Sequence, residues 1–214
     1  MKRILLLILV AFGLGSCNDP KGSGKETEME PIRNEQNEQS VLSWSKIKDK
    51  FPSQDILQYD FKSDGKPIND LTKAVKLDSL TFNELVTKVK HYAEWKEYLE
   101  IFYFSKIKIE NQELGVFLLK REFDGTEYSF DLIQLDSNGD IKKVVRMANS
   151  WSAAECMGYT RATLDLKLNQ IQQEVIQKCY DEEAESFNTV DSILSISSLG
   201  NLDFKILRLD TVAI

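Results

Sequence analysis

The chain has 214 residues, 42% of them hydrophobic, and its 34 acidic and 27 basic side chains leave a net charge of −7. Its Lys and Arg residues form no cluster: Lys46, Lys48 and Lys50 are interleaved with Asp49 and apolar residues. This argues against a nucleic-acid or anionic-lipid surface as partner, since both need a basic patch. A single histidine excludes a His-rich zinc site by count.

In chain order, Met1-Lys2-Arg3 places two positive charges at the start, and Ile4 to Leu14 then runs without a charge to the small pair Gly15-Ser16. Basic, then apolar, then small is the order of a secretory signal peptide. A retained transmembrane helix needs about 20 apolar residues, and this run stops at eleven, with Asn18-Asp19-Pro20 close behind.

Leu14-Gly15-Ser16-Cys17 closes the run and resembles the lipobox of bacterial lipoproteins: Leu, two small residues, then Cys. The resemblance implies signal peptidase cleavage before Cys17, with diacylglycerol on its sulfur and a further acyl chain, such as palmitate, on its amine. Each buried methylene contributes about 0.8 kcal/mol, so two or more chains hold firmly. Residue 18 is Asn, not the Asp that retains enterobacterial lipoproteins in the inner membrane. The resemblance therefore favours the outer membrane and leaves the leaflet, periplasmic or surface-facing, open. Removing residues 1–16 takes away two positive charges and no negative ones, which brings the mature chain to −9.

Residues 18–40 carry six acids, three bases and two prolines, with Met29 and Ile32 as their only sizeable apolar side chains. Such a segment buries too little surface to offset its ordering entropy. It reads as a polar, disordered tether of roughly 25–30 Å average span. The expected organisation is therefore a lipoprotein signal peptide (1–16), lipidated Cys17 with its tether (17–40), and one globular domain (41–214).

Within the domain, Leu42, Ile47 and Phe51 predict a short helix over 41–51, stopped by Pro52, and 56–61 reads as a strand. Phe82, Leu85, Val89 and Tyr92 recur at helical spacing, so a helix is expected over 81–99, opened by a capping box of Thr81 and Glu84. The period then falls to two. Leu99, Ile101, Tyr103, Ile107 and Ile109 alternate with polar residues, while Phe102 and Phe104 make the opposite face apolar too, as in a strand covered on both sides. Seven further strands follow, at 115–123, 128–135, 141–147, 162–168, 172–180, 192–199 and 204–214, most joined by short Asp/Asn/Gly turns. The fold class is mainly β: an antiparallel meander with a small N-terminal helical element, closed as a barrel, folded as a sandwich or splayed as propeller-like blades. This layout resembles uncharacterised envelope lipoproteins of Bacteroidota, a likeness of style that carries no activity.

No catalytic constellation is legible. His91 falls on the polar face of the 81–99 helix and reads as a solvated surface residue, and no Gly-x-Ser-x-Gly elbow is present. Asp181-Glu182-Glu183-Ala184-Glu185 lacks the spacing of a calcium loop, and Asp136-Ser137-Asn138-Gly139-Asp140 reads as a hairpin turn. Trp151, in an expected loop, suits either a binding residue or a core plug. These readings name no catalytic, cofactor-binding or metal residue. They favour a non-enzymatic binding module for a protein or glycan, attached to the membrane through Cys17. The alternatives are a barrel-type carrier or sensor of an apolar ligand, and a carboxylate-based envelope glycan hydrolase.

Lipidation of Cys17 leaves Cys156 and Cys179, which export delivers to an oxidising compartment. A two-residue turn at Asn169-Gln170 sets Thr160 opposite Cys179 and leaves Cys156 four residues, about 13 Å, further along. A disulfide between them is expected if the strand bends back at Met157-Gly158.

Overall fold

The computed structural model describes residues 40–54, 56–153, 155–183, 185–198 and 206–211. The signal segment, Cys17 and nearly all of the tether lie outside the described residues.

The opening helix is shorter than expected: α1 (Trp44–Ile47) passes into a 3-10 turn, Lys48–Lys50. Two very short strands follow, β1 (Gln58–Tyr59) and β2 (Val75–Lys76). The helix expected over 81–99 is broken into α2 (Ser79–Lys88), α3 (Lys90–Ala93) and a 3-10 turn, Lys96–Tyr98. The break is at Val89, whose backbone is extended (φ −116°, ψ 102°) and whose side chain is buried. The expected capping box is displaced as well. Asp78 caps α2, its carboxylate accepting from the Thr81 N–H at 3.0 Å. Glu84 instead accepts from the Val41 N–H at 2.9 Å and from the Ser40 hydroxyl, fastening the start of the described chain to α2.

From Leu99 onward the chain is β3 (Leu99–Ile109), β4 (Gln112–Glu122), β5 (Thr126–Leu135), β6 (Ile141–Ala153), β7 (Cys156–Asp165), β8 (Gln170–Asp181), β9 (Ser186–Ser198) and β10 (Ile206–Thr211). Each pairs antiparallel with its predecessor, β2 adds to β3, and the meander runs unbroken from β2 to β10. The stretch between 147 and 162, which reads as a loop, is instead the hairpin where β6 meets β7, with Trp151 opposite Gly158. Beyond Thr160 β6 turns away, and β1 takes the vacated edge of β7 through Gln58↔Thr163 and Tyr59↔Ala162.

Two cores sandwich β3–β5. On one face Leu42, Ile47, Leu85, Val86 and Tyr92 pack on Ile101, Tyr103 and Phe117. On the other, the sheet coils until Phe104, Leu118, Phe130 and Leu132 meet Tyr59, Tyr159, Ala162 and Ile171. The simple alternation expected along β3 fails at Phe104-Ser105, because Tyr103 pairs with Phe117 while Ser105 pairs with Val116. This bulge inserts one residue and reverses the parity. Leu99, Ile101 and Tyr103 therefore face the helices, whereas Ile107 and Ile109 join the second core. Phe51 lies so close over Gly115 that a Cβ there would fall 2.3 Å from its ring, so the helical segment and β4 approach nearer than any side chain allows.

The β7–β8 register also differs from the expectation. The turn spans four residues, Leu166 to Asn169, so Leu164 pairs with Ile171 and Thr160 with Val175. Asp165 accepts from the Lys167 and Leu168 N–H groups at 2.9 Å each, and Asn169 takes a positive φ of 52°. These local bonds close the chain two residues earlier than side-chain alternation suggests. The shift brings Cys156 directly opposite Cys179, where they form a disulfide, and no bend at Met157-Gly158 is needed.

Candidate functional site

The helix break and the long β6 build a cleft of about 520 Å³ on the helical side of the sheet. Its wall is His91 and Tyr92 of α3 with Trp95 just beyond it, and its floor comes from β4, β5 and β6. Two residues that the sequence singled out, His91 and Trp151, meet here across 60 positions of chain. Trp151 is neither in a loop nor a core plug. It stands half-buried on β6, its indole so close over Gly158 that a Cβ there would lie 2.5 Å from it. That glycine lets the ring lie against the strand and fixes its plane at one end of the cleft.

At the centre is Asp131, a fully buried carboxylate on a strand whose neighbours Phe130, Leu132 and Ile133 are core residues. A buried charge persists only if it is paired and hydrogen-bonded. Asp131 accepts from the Tyr92 hydroxyl at 2.7 Å, and from Arg146 Nε and Nη2 at 3.0 and 3.1 Å in a bidentate pair. His91 Nε2 lies 3.9 Å from the same carboxylate and 3.4 Å from Arg146 Nη2. Burial pushes the Asp131 carboxyl up. The nearby His91 ring, the hydrogen bonds and charge of Arg146, and the Tyr92 hydroxyl outweigh it and hold the group below the usual carboxylate range. Burial and the neighbouring Asp131 charge raise the Tyr92 phenol well above its ordinary value, so it stays a neutral donor.

A second pair completes the site. Arg121 forms an ion pair with Glu127 and stacks on Trp95, its guanidinium 4.3 Å from the ring centre. Glu127 also accepts from the Ser152 N–H at 3.3 Å. Each arginine of the cleft is thus matched by a carboxylate, with Trp151 beside them and Trp95 stacked by Arg121. Such a surface can hold a ligand with an apolar face and hydroxyl edges: rings below, pre-oriented donors and acceptors around.

Asp136 and Asp181, from the two acidic stretches weighed for metal, accept backbone N–H groups of their own turns. Among the described residues no group of three or more His, Cys, Asp or Glu side chains is placed to hold a metal ion. No helix among them is long and apolar enough to cross a membrane. Comparison of the chain with protein-family models, curated proteins and solved structures finds no match.

Proposed function

We propose that this chain is a lipid-anchored protein of the bacterial cell envelope, held on the outer membrane through Cys17, whose cleft binds a neutral saccharide without chemically changing it. The anchor rests on Leu14-Gly15-Ser16-Cys17 at the end of a short apolar run. The binding reading rests on one observation: the cleft presents tryptophan rings beside two arginines that are each already neutralised by a carboxylate. An anionic ligand would have to displace Asp131 or Glu127, whereas a neutral sugar can stack on the rings and use the remaining hydrogen-bonding capacity. A glycosidase needs a carboxylic acid that keeps its proton near neutrality. Asp131 is held in the opposite direction, which favours binding over hydrolysis. The second core is filled by Tyr59, Phe61, Phe104 and Phe130, so support for an apolar-ligand carrier is weak.

Two measurements test this reading. Cys17→Ser is expected to abolish fatty-acid labelling and release the protein from the membrane fraction; a wild type that takes up no labelled lipid removes the anchor. The full chain in detergent, applied to an array of neutral and anionic glycans, is expected to retain neutral ones. His91→Ala combined with Asn149→Ala should weaken that binding about tenfold, the equivalent of roughly 1.4 kcal/mol. Preference for anionic glycans, or indifference to both substitutions, would overturn the cleft as the site.

A further inference from the structure

Beside the cleft, where β4 turns into β5, Phe123 is 64% exposed and Tyr98 is 42% exposed. Phe123 packs edge-to-face with Tyr98, centroids 5.0 Å apart, and with Trp95 at 5.6 Å. Trp95 is shared: one neighbour is Phe123, and the other is Arg121, which lines the cleft. The ridge of rings therefore continues the cleft wall without a gap. We infer that Phe123, Tyr98 and Trp95 form a second, stacking subsite, so that the ligand is a saccharide chain of several rings rather than a single sugar. This inference rests on the cleft reading above.

Three observations select a saccharide chain as the occupant. An aromatic side chain presents 150–250 Å² when fully exposed, so these partly packed rings offer roughly 250 Å². A stable interface with a second copy or a folded partner needs about 800 Å² per side. The flanking charges, Lys96 beside Glu97 and Arg121 paired with Glu127, are of both signs and match the neutralised cleft. Mutual edge-to-face contact also holds the rings in place before a ligand arrives, which reduces the entropy lost on binding.

The test uses the full chain in detergent and calorimetric titration with neutral oligosaccharides built on glucose, mannose or N-acetylglucosamine, from one to six rings. Wild-type affinity should rise with chain length. Phe123→Ala should leave the shortest bound chain within about twofold and remove about tenfold of the gain on longer ones. Phe123→Trp should restore that gain. Circular dichroism melts of both variants separate a lost contact from a lost fold. Wild-type binding that does not vary with length, or equal weakening of short and long chains by Phe123→Ala, overturns the subsite and leaves the cleft standing. Failure of wild type to bind any neutral chain overturns both. A wild-type dimer that Phe123→Ala dissociates without changing glycan affinity overturns the subsite alone, because a second copy is then the occupant.

Discussion

Asp131→Ala is expected to lower stability by about 3 kcal/mol, because it strips the buried Tyr92 hydroxyl of its acceptor and leaves Arg146 without its counter-charge. For a domain of this size that is a fall of roughly 9 °C in melting temperature, read by circular dichroism. The loss should include the seating of α3, since Tyr92 is the fully buried residue of that helix and Asp131 is its polar partner on the sheet. Asp131→Asn is the informative companion. Its amide oxygen can still accept from Tyr92, but the charge that orients Arg146 is gone, so stability should fall less than in the Ala variant.

The same pair fixes the sign of the pH dependence. Asp131 has a folded-state value below that of the unfolded chain, which for an ordinary aspartate is about 3.9. As pH falls through that value the unfolded state binds its proton first. The contribution of the group is therefore complete above it and is lost as pH falls further, through the lower folded value. Asp136, held at about 2 by Lys142 and by the N–H groups of Asp140 and Asn138, acts in the same sense. Denaturant titrations at pH 7 and pH 3 should therefore show a smaller acid-induced loss for Asp131→Asn than for wild type, with Asp136 still contributing to the remainder. An equal loss in both proteins would show that Asp131 does not ionise more readily when folded.

The elements most legible in the sequence were those set by local chemistry. The two-residue period from Leu99, the apolar opposite face at Phe102 and Phe104, and the Asp/Asn/Gly turns led directly to the meander. Parity and register depended on backbone events that leave little trace in side-chain type: the Phe104 bulge, the break at Val89 and the four-residue turn closed by Asp165. At the site the sequence offered His91 and Trp151 but not what joins them. A signal for the rest was present in Ser129-Phe130-Asp131-Leu132-Ile133, where one acid interrupts an apolar run. A buried strand keeps such a charge only against a cation, and Arg146, within Val144-Val145-Arg146-Met147, interrupts the next strand in the same way. What could not be read was that a bulge in β6, between Ile141 and Lys143, sets the arginine opposite the aspartate. Phe123 gave no signal, since an aromatic at a strand end is indistinguishable from core until its exposure is known.

Removing the disulfide, by Cys156→Ser with Cys179→Ser, is expected to cost about 3 kcal/mol. The bridge closes a loop between residues separated by 23 positions, and cross-linking a loop of about two dozen residues restricts the unfolded chain by an amount of that order. The position of the bridge sets the second part of the expectation. Cys156 opens β7 immediately after the hairpin from β6, and it ties that end of β7 to β8 two residues from Gly158, on which Trp151 rests. Without the bridge the floor under Trp151 should loosen, so glycan affinity should fall together with stability. Urea unfolding of wild type and double variant measures the first effect, with a steeper dependence on urea expected for the variant because its unfolded chain is more expanded. The bridge itself is checked by alkylating denatured, unreduced mature protein and measuring its mass. Neither Cys156 nor Cys179 should take up label before reduction, and both should afterwards. Full labelling of both before reduction would show that the thiols are free, and the double variant should then be no less stable than wild type beyond the loss of two small apolar groups.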